Sequence, residues 1–222
     1  MFGKEKRINP LTDHQDVLIQ VVKDIELTKK CVVSANSSYL VMILVDNKPI
    51  CTIKNCRDKV IYKEIGKEYL GSLITILFVL NTTIIESSWG FGDVYVNNSR
   101  LKEAYRLGTN GEYVLKINDP YLLYLAMPLE NQITTSIIHQ KVFSSIKTVG
   151  VSLLSSYFSF SDVSIFEIGS KILEFRDKFL EMINEQKVLE LLGIEIVSLT
   201  VNTIKAPEDD MNKIKERINS EE

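Results

Sequence analysis

An α+β fold is predicted for this chain of 222 residues by three features. From Cys31 to Ile117, short apolar and β-branched segments alternate with turn signals. After Pro120 the apolar period changes from about 2 to about 3.6. A last β-branched segment, Ile194 to Ile204, then follows a glycine. Together they predict an antiparallel-rich sheet from about Cys31 to Ile117, helices covering it, and a closing strand that rejoins it.

Residues 1–30 read as an N-terminal helical extension. Thr12-Asp13-His14-Gln15 has capping-box spacing. Val17, Leu18, Val21, Val22 and Ile25 follow at helical intervals, which predicts a helix over about Asp13 to Ile25. Strands begin at Cys31. Tyr39 to Val45 is apolar and β-branched, Asp46-Asn47-Lys48 turns the chain, and Ile50 to Ile53 returns it as a hairpin. Val60 to Ile65 reads as a further short strand. Leu73 to Glu86 is a nearly continuous apolar and Thr run, which suits a central strand covered on both faces. Trp89 to Asp93 reads as a turn region and Val94 to Val96 as strand. Leu101 to Leu107 and Tyr113 to Ile117 complete the β-rich part. Between them, Thr109-Asn110-Gly111 has the local look of a hairpin turn.

Asp119-Pro120 ends that part, because Pro has no N–H for a ladder and its fixed φ suits a first helical turn. Ile133, Ile137, Ile138, Val142, Phe143 and Ile146 mark one helix. Gly150 to Phe160 is apolar and Ser-rich, with no clear period. Ser161 or Asp162 is placed to cap a long helix running to about Leu192, with Gly193 as the residue that ends it at positive φ. Pro207 opens a polar helix over 207–222, whose early Glu208, Asp209 and Asp210 suit the positive end of its dipole. The middle domain is thus expected over 31–206.

Composition narrows the function. The chain is 45% hydrophobic and 25% charged, which excludes a disordered or collagen-like polymer. A net charge of -3 argues against a broad grip on nucleic acid. The N-terminal decapeptide lacks an apolar stretch, so no secretory leader is read there. The longest apolar run, Leu73 to Leu80, is far below the roughly 20 residues of a membrane-spanning helix. The expectation is a soluble intracellular chain with reduced thiols, in which the sequons at Asn36, Asn81 and Asn97 carry no sugar.

The search for chemistry yields little. Gly90 and Gly92 begin a dinucleotide fingerprint, but Tyr95 holds its third glycine position. Cys51 and Cys56 have no second pair at zinc-site spacing, and His14 and His139 are distant in sequence. A nucleophile paired with His139 is weighed against an ordinary helix histidine, and the latter is preferred. Trp89 reads as a core filler where the long strand ends, the competing role being a ligand or membrane anchor. Asp209-Asp210 reads as a helix first turn rather than an acid–base dyad. No catalytic residue, cofactor or metal is therefore expected. Ile165, Ile168, Ile172, Phe175 and Phe179 form a stripe that is a candidate oligomer face, against burial on the chain's own sheet. Phe2, Lys4, Lys6 and Arg7 offer a marginal membrane contact.

The order of these pieces resembles the stomatin–prohibitin–flotillin (SPFH, band 7) superfamily, in its bacterial virion-core-protein-like branch. The resemblance covers about Cys31 to Pro207. It rests on Val32-Val33-Ser34 to Ile50 as an opening hairpin, on Trp89-Gly90 after the long strand, and on Arg106-Leu107, Gly111, Tyr113, Lys116-Ile117 and Asp119-Pro120. Gly193-Ile194-Glu195-Ile196, Ile204 and Pro207 match the closing strand and the start of the C-terminal helix. The chain departs from the pattern at Asn55-Cys56-Arg57-Asp58, where the family has a Gly-Pro-Gly-like segment, and it shows neither a preceding transmembrane hairpin nor a C-terminal zinc ribbon. The resemblance runs a strand through Gly111, in conflict with the local turn signal, and the strand is the reading adopted.

What the resemblance implies is a non-enzymatic scaffold or adaptor. Such a protein self-associates, sits peripherally on the cytoplasmic face of a membrane and recruits partners, here a phage-shock-type membrane-stress protein. The alternative is a soluble monomeric accessory module that binds a single protein partner.

Overall fold

The computed structural model of the chain describes residues 5–11, 16–81 and 84–221. It is 36% helical and 40% strand with antiparallel sheets, the expected α+β class. In chain order the strands are β1 (Lys6–Ile8), β2 (Val17–Glu26), β3 (Cys31–Val33), β4 (Tyr39–Val45), β5 (Lys48–Lys54), β6 (Lys59–Val60), β7 (Leu73–Leu80), β8 (Ile84–Asn98), β9 (Glu103–Ile117), β10 (Gln132–Thr134) and β11 (Ile194–Lys205). The helices are α1 (Ile61–Ile65), α2 (Pro120–Ala126), α3 (Thr135–Ser159), α4 (Ile172–Glu185), α5 (Val188–Leu191) and α6 (Glu208–Glu221). The described residues form two compact units. Unit 1 takes the chain up to 83 and 117–138, and unit 2 takes 84–116 and 139 onward. This division runs through the expected 31–206 domain.

Unit 1 holds a five-stranded sheet in the order β10-β2-β7-β4-β5 and a small sheet β1-β3-β6. Every neighbour pair in the larger sheet is antiparallel. The helix expected over Asp13 to Ile25 is a correction: residues 17–26 are strand β2, paired with β7 on one side and β10 on the other. They are therefore part of the sheet and not of a helical extension over 1–30. The capping-box residues Thr12–Gln15 lie outside the described residues. The reason for the misreading is burial on both faces. Ile19 and Gln20 are both fully buried, and a strand covered on both sides needs no polar alternation, so its apolar run imitates helical spacing. A register shift between Val22 and Ile25, with Asp24 at φ +57°, adds a bulge that further blurs the period.

The β4–β5 hairpin forms as read, with Asp46 and Asn47 both at positive φ in a two-residue turn. The strand expected over Val60 to Ile65 is only Lys59–Val60. Ile61 and Ile65 lie four apart on one turn of helix α1, and both are buried. The single long strand expected over Leu73 to Glu86 is divided. β7 ends at Leu80 in the five-stranded sheet, and β8 starts at Ile84 in a different one.

Unit 2 holds the sheet β11-β9-β8. Trp89 to Asp93 is not a turn but the middle of β8, which pairs antiparallel with β9 along its length. A bulge lies between Phe91 and Val94, with Asp93 at φ +57°. β9 runs straight through Gly111, so the strand reading of that segment holds over the local turn signal. The actual reversal is at 99–102, where the Asn98 carboxamide oxygen accepts from the N–H groups of Arg100 and Leu101, each at 3.1 Å. β11 closes the sheet as expected, but beside β9 only. One sheet over 31–117 was expected, and the described residues form three.

The Asp119-Pro120 start of α2 is as read: the Asp119 carboxylate accepts from Tyr121 N–H and Leu122 N–H at 2.9 and 3.2 Å. Ile133, expected to begin a helix, is a buried strand residue of β10, and α3 starts at Thr135 and runs through the ambiguous segment to Ser159. The long helix from Ser161 or Asp162 to Leu192 is broken into a 3-10 turn at Ile168–Lys171, α4 and α5. Asp162 does not cap. It grips the Arg100 guanidinium at 2.9 and 2.8 Å, and Asn98 donates to the carbonyls of Phe158 and Ser161. Lys187 at φ +52° separates α4 from α5. Gly193 sits at φ +67° after α5 and its N–H donates to Glu190 O at 2.9 Å, the role read for it.

Candidate functional site

The motif residues of unit 2 come together on its sheet. Trp89 faces Gly111 across the β8–β9 ladder, Gly90 faces Asn110, and Ser87 faces Tyr113. Trp89 is buried, stacked on Phe91 at 5.7 Å and edge-on to Phe179 at 5.5 Å. Gly111 is there for clearance. A Cβ on it would stand 1.9 Å from Thr200 O of β11 and 2.7 Å from the Trp89 ring. Gly90 is less constrained, with Asn110 Cβ at 3.3 Å. Trp89 Nε1 is buried and has no hydrogen-bond partner among the described residues, so the ring contributes bulk rather than a polar handle. The remaining motif residues, Asp119, Pro120, Gly193 and Pro207, sit at element ends. The Pro207 carbonyl accepts from Asp210 N–H and Met211 N–H, which opens α6.

A polar cluster lies next to this wedge. Ser87 Oγ is 2.7 Å from His139 Nδ1, and the Tyr113 hydroxyl closes on the same nitrogen. The imidazole is stacked between Tyr113 and Phe143 at 5.8 and 5.7 Å. A hydroxyl on a histidine is the first half of a nucleophile–base pair. Here two hydroxyls converge on one nitrogen, which has a single in-plane lone pair. Burial raises the Tyr113 pKa, with the Ser87 hydrogen bond partly opposing it, so the phenol stays protonated and is a donor at neutral pH. An unprotonated Nδ1 can therefore serve one of the two hydroxyls at a time, and the two compete for it. The arrangement fastens β8, β9 and α3 within unit 2. No sequence signal placed Ser87 and Tyr113 on His139, since the three are separated by strand register.

A second feature went unread. Asp210 is buried, and Arg106 holds it through its own N–H and Nε on Oδ2, at 2.9 and 3.0 Å, and through Nη2 on Oδ1 at 3.1 Å. The Arg106 hydrogen bond holds the Asp210 carboxyl below the usual range, against the opposing effect of burial. Asp210 was read as a first-turn residue answering its helix dipole. It is in addition the anchor of α6 on β9, and Ile214 on the same helix is also buried.

The candidate oligomer face is corrected by burial. Ile165, Ile168, Phe175 and Phe179 are at most 4% exposed, and Ile172 is half-buried. Phe175 packs against Phe158, Tyr157 and Phe179 in the core of unit 2. The stripe is broad because it covers the unit's own sheet, and a coiled-coil seam is narrower. What remains exposed nearby is different: Phe160, Leu173 and Leu191, at 72, 65 and 73%. Phe160 borders a groove with Tyr157, Lys171, Glu174 and Lys178. There the Tyr157 hydroxyl and both lysines hydrogen-bond Glu174 and hold its pKa down to about 2.

Of the cysteines, Cys31 and Cys56 are buried and Cys51 is half-buried, all as free thiols. Burial, followed by the nearby Glu64, pushes the Cys56 thiol up to about 11. Among the described residues no cluster of His, Cys, Asp or Glu is arranged to hold a metal ion. No helix among them is long and apolar enough to cross a membrane. Of the four residues read as a membrane contact, Lys6 and Arg7 lie on β1, and Phe2 and Lys4 lie outside the described residues.

No family model matches the chain, and no curated protein matches it.

Proposed function

We propose that this chain is an SPFH-type, non-enzymatic scaffold or adaptor that self-associates and recruits a protein partner at the cytoplasmic face of a membrane. The partner implied by the resemblance is a phage-shock-type membrane-stress protein. Support for the fold comes from the placement of the quoted motifs: Trp89 against Gly111, the strand through Gly111, the Asp119-Pro120 start and the Pro207 start. The observation that carries association is apolar surface left over after unit 2 has closed its own core. Phe160, Leu173 and Leu191 stay largely in water over a segment that also supplies Phe175 and Phe179 to the interior. On this reading they are the side chains that a second copy or a partner covers.

The accessory-module reading is favoured by a specific observation of its own. The stripe was the sequence feature that pointed to assembly, and it is used within the chain. Mass in solution separates the readings. Light scattering on the full chain, with and without liposomes, is expected to give assemblies larger than one chain, reduced by Leu173→Glu with Leu191→Glu. A strict monomer in both conditions removes the scaffold reading and leaves the module.

A further inference from the structure

Unit 1 carries a cleft of about 720 Å³ at one end of the β1-β3-β6 sheet, lined by the segments that follow β1, β3 and β5. Its volume is that of an ordinary small-molecule site. Its lining is not, because it is mainly polar and, among the described residues, includes two arginines, Arg7 and Arg57, and no acidic side chain. Main-chain hydrogen bonds fix the three segments to one another. Ser34 N–H donates to Ile8 O at 3.1 Å, and Ala35 N–H donates to Cys56 O at 2.6 Å.

A count of donors and acceptors then shows what the cleft lacks. Ser34 Oγ already accepts from Asp58 N–H at 3.2 Å, so its own O–H is left to donate. Asn36 Oδ1 accepts from Ser38 N–H at 2.9 Å, which leaves its NH₂ group. Asn55, held at φ +53°, has its carbonyl engaged by Arg57 N–H at 3.0 Å. The Arg57 guanidinium has no carboxylate within 4.0 Å among the described residues. Arg7 meets Glu5 at 3.4 Å and Asp58 at 3.6 Å, both exposed pairs that contribute little in water. The walls thus hold two cationic forks together with hydroxyl and amide groups that still have N–H or O–H donors to give.

We infer that this cleft binds a phosphomonoester, with Arg57 and Arg7 as charge-bearing forks and Ser34 and Asn36 as neutral donors. A phosphate dianion offers only acceptors, in the planar fork geometry that guanidinium matches. The inference goes beyond the scaffold proposal and does not depend on it, since the exposed residues invoked there belong to unit 2. Two sources share this chemistry, a soluble phosphate ester and the headgroup of a lipid such as phosphatidic acid.

The experiment has one arm for each source and uses the full chain. Glycerol 3-phosphate is titrated by calorimetry. In parallel, the protein is co-sedimented with phosphatidylcholine vesicles containing phosphatidic acid, and with vesicles of equal charge density containing phosphatidylglycerol. The expected result is binding in at least one arm, weakened about tenfold or more by Arg57→Gln and separately by Arg7→Gln. Lys147→Gln, an exposed charge in unit 2, leaves it unchanged. Binding of glycerol 3-phosphate assigns a soluble ester. Binding only to phosphatidic acid vesicles, above phosphatidylglycerol, assigns a lipid headgroup. No binding in either arm, vesicle binding that does not discriminate the two lipids when glycerol 3-phosphate does not bind, or equal loss in Lys147→Gln overturns the inference.

Discussion

Unit 1 and unit 2 close their cores by different means. The main core of unit 1 is aliphatic: Val33, Val41, Ile43, Ile74 and Ile76 pack across antiparallel strands, with Tyr39 and Phe78 as its aromatic members. Unit 2 instead gathers Trp89, Phe91, Phe158, Phe175 and Phe179. Rings of that size need room that a regular backbone does not leave, and glycine supplies it. Gly111 in β9 and Gly150 in α3 are both places where a Cβ would overlap a neighbour. Glycine in the middle of a strand or helix ordinarily weakens it. Here that loss is accepted because the ring beside it contributes more burial than a methyl group would.

The largest test of this contrast is Gly111→Ala. The atom it would strike is the carbonyl oxygen of Thr200, part of a paired strand and unable to rotate away. A loss of about 3 kcal/mol is expected, the upper end for overpacking. Gly150→Ala would meet the ring edges of Phe91 and Phe179, which have side-chain freedom, so a loss of about 1 kcal/mol is expected. Chemical denaturation of the two variants measures both values. Equal losses would show that clearance for rings and clearance for backbone are the same constraint, and the contrast would lose its basis.

The same contrast explains what was legible in the sequence. Segments whose signal is local came through: Asp46-Asn47 as a turn, Asp119-Pro120 as a helix start, Gly193 as a stop. In each, the residue's own backbone preference decides the conformation. β2 did not come through, because burial on both faces erased its alternation and left a spacing that fits a helix equally well. The stripe from Ile165 to Phe179 was seen correctly as apolar, but a pattern of burial does not say whose surface does the burying. The Ser87–Tyr113–His139 cluster and the Arg106–Asp210 pair were invisible for a third reason. Their partners lie between 26 and 104 positions apart and meet only through strand register and helix docking.

A middle-sized effect concerns charge. The Asp210 pKa is lowered in the folded chain, so its contribution is fully present above the unfolded value of about 3.9 and is lost as pH falls through the lower folded value. Asp210→Asn should therefore lower the melting temperature at neutral pH, and the gap to the parent chain should close in strong acid. Unit 1 offers the comparison in Asp58, whose contact with Arg7 at 3.6 Å is solvent-exposed. Asp58→Asn should leave melting nearly unchanged at every pH. Melting curves across an acid series distinguish a buried anchor from a surface pair. A gap that persists undiminished below the folded pKa would mean that Asp210 holds α6 by shape alone.

A small effect is expected of Ile43→Val in unit 1. Ile43 is fully buried in β4, between Cys51 of β5 and Ile76 of β7. Removing one methyl group loses its transfer free energy and opens a space smaller than a water molecule. Valine keeps the branched Cβ that suits a strand, so about 1 kcal/mol is expected. The counterpart in unit 2 is Phe179→Leu, where the shape changes along with the size and the edge contact to Trp89 is lost. The aliphatic core should relax around its deletion and the aromatic one should not, giving the Phe179 variant the larger loss and a change in Trp89 fluorescence. Trp89 is the only tryptophan in the chain, so that signal reports unit 2 alone. If Ile43→Val proves the more damaging of the two, unit 1 is the more tightly fitted unit and the contrast runs the other way.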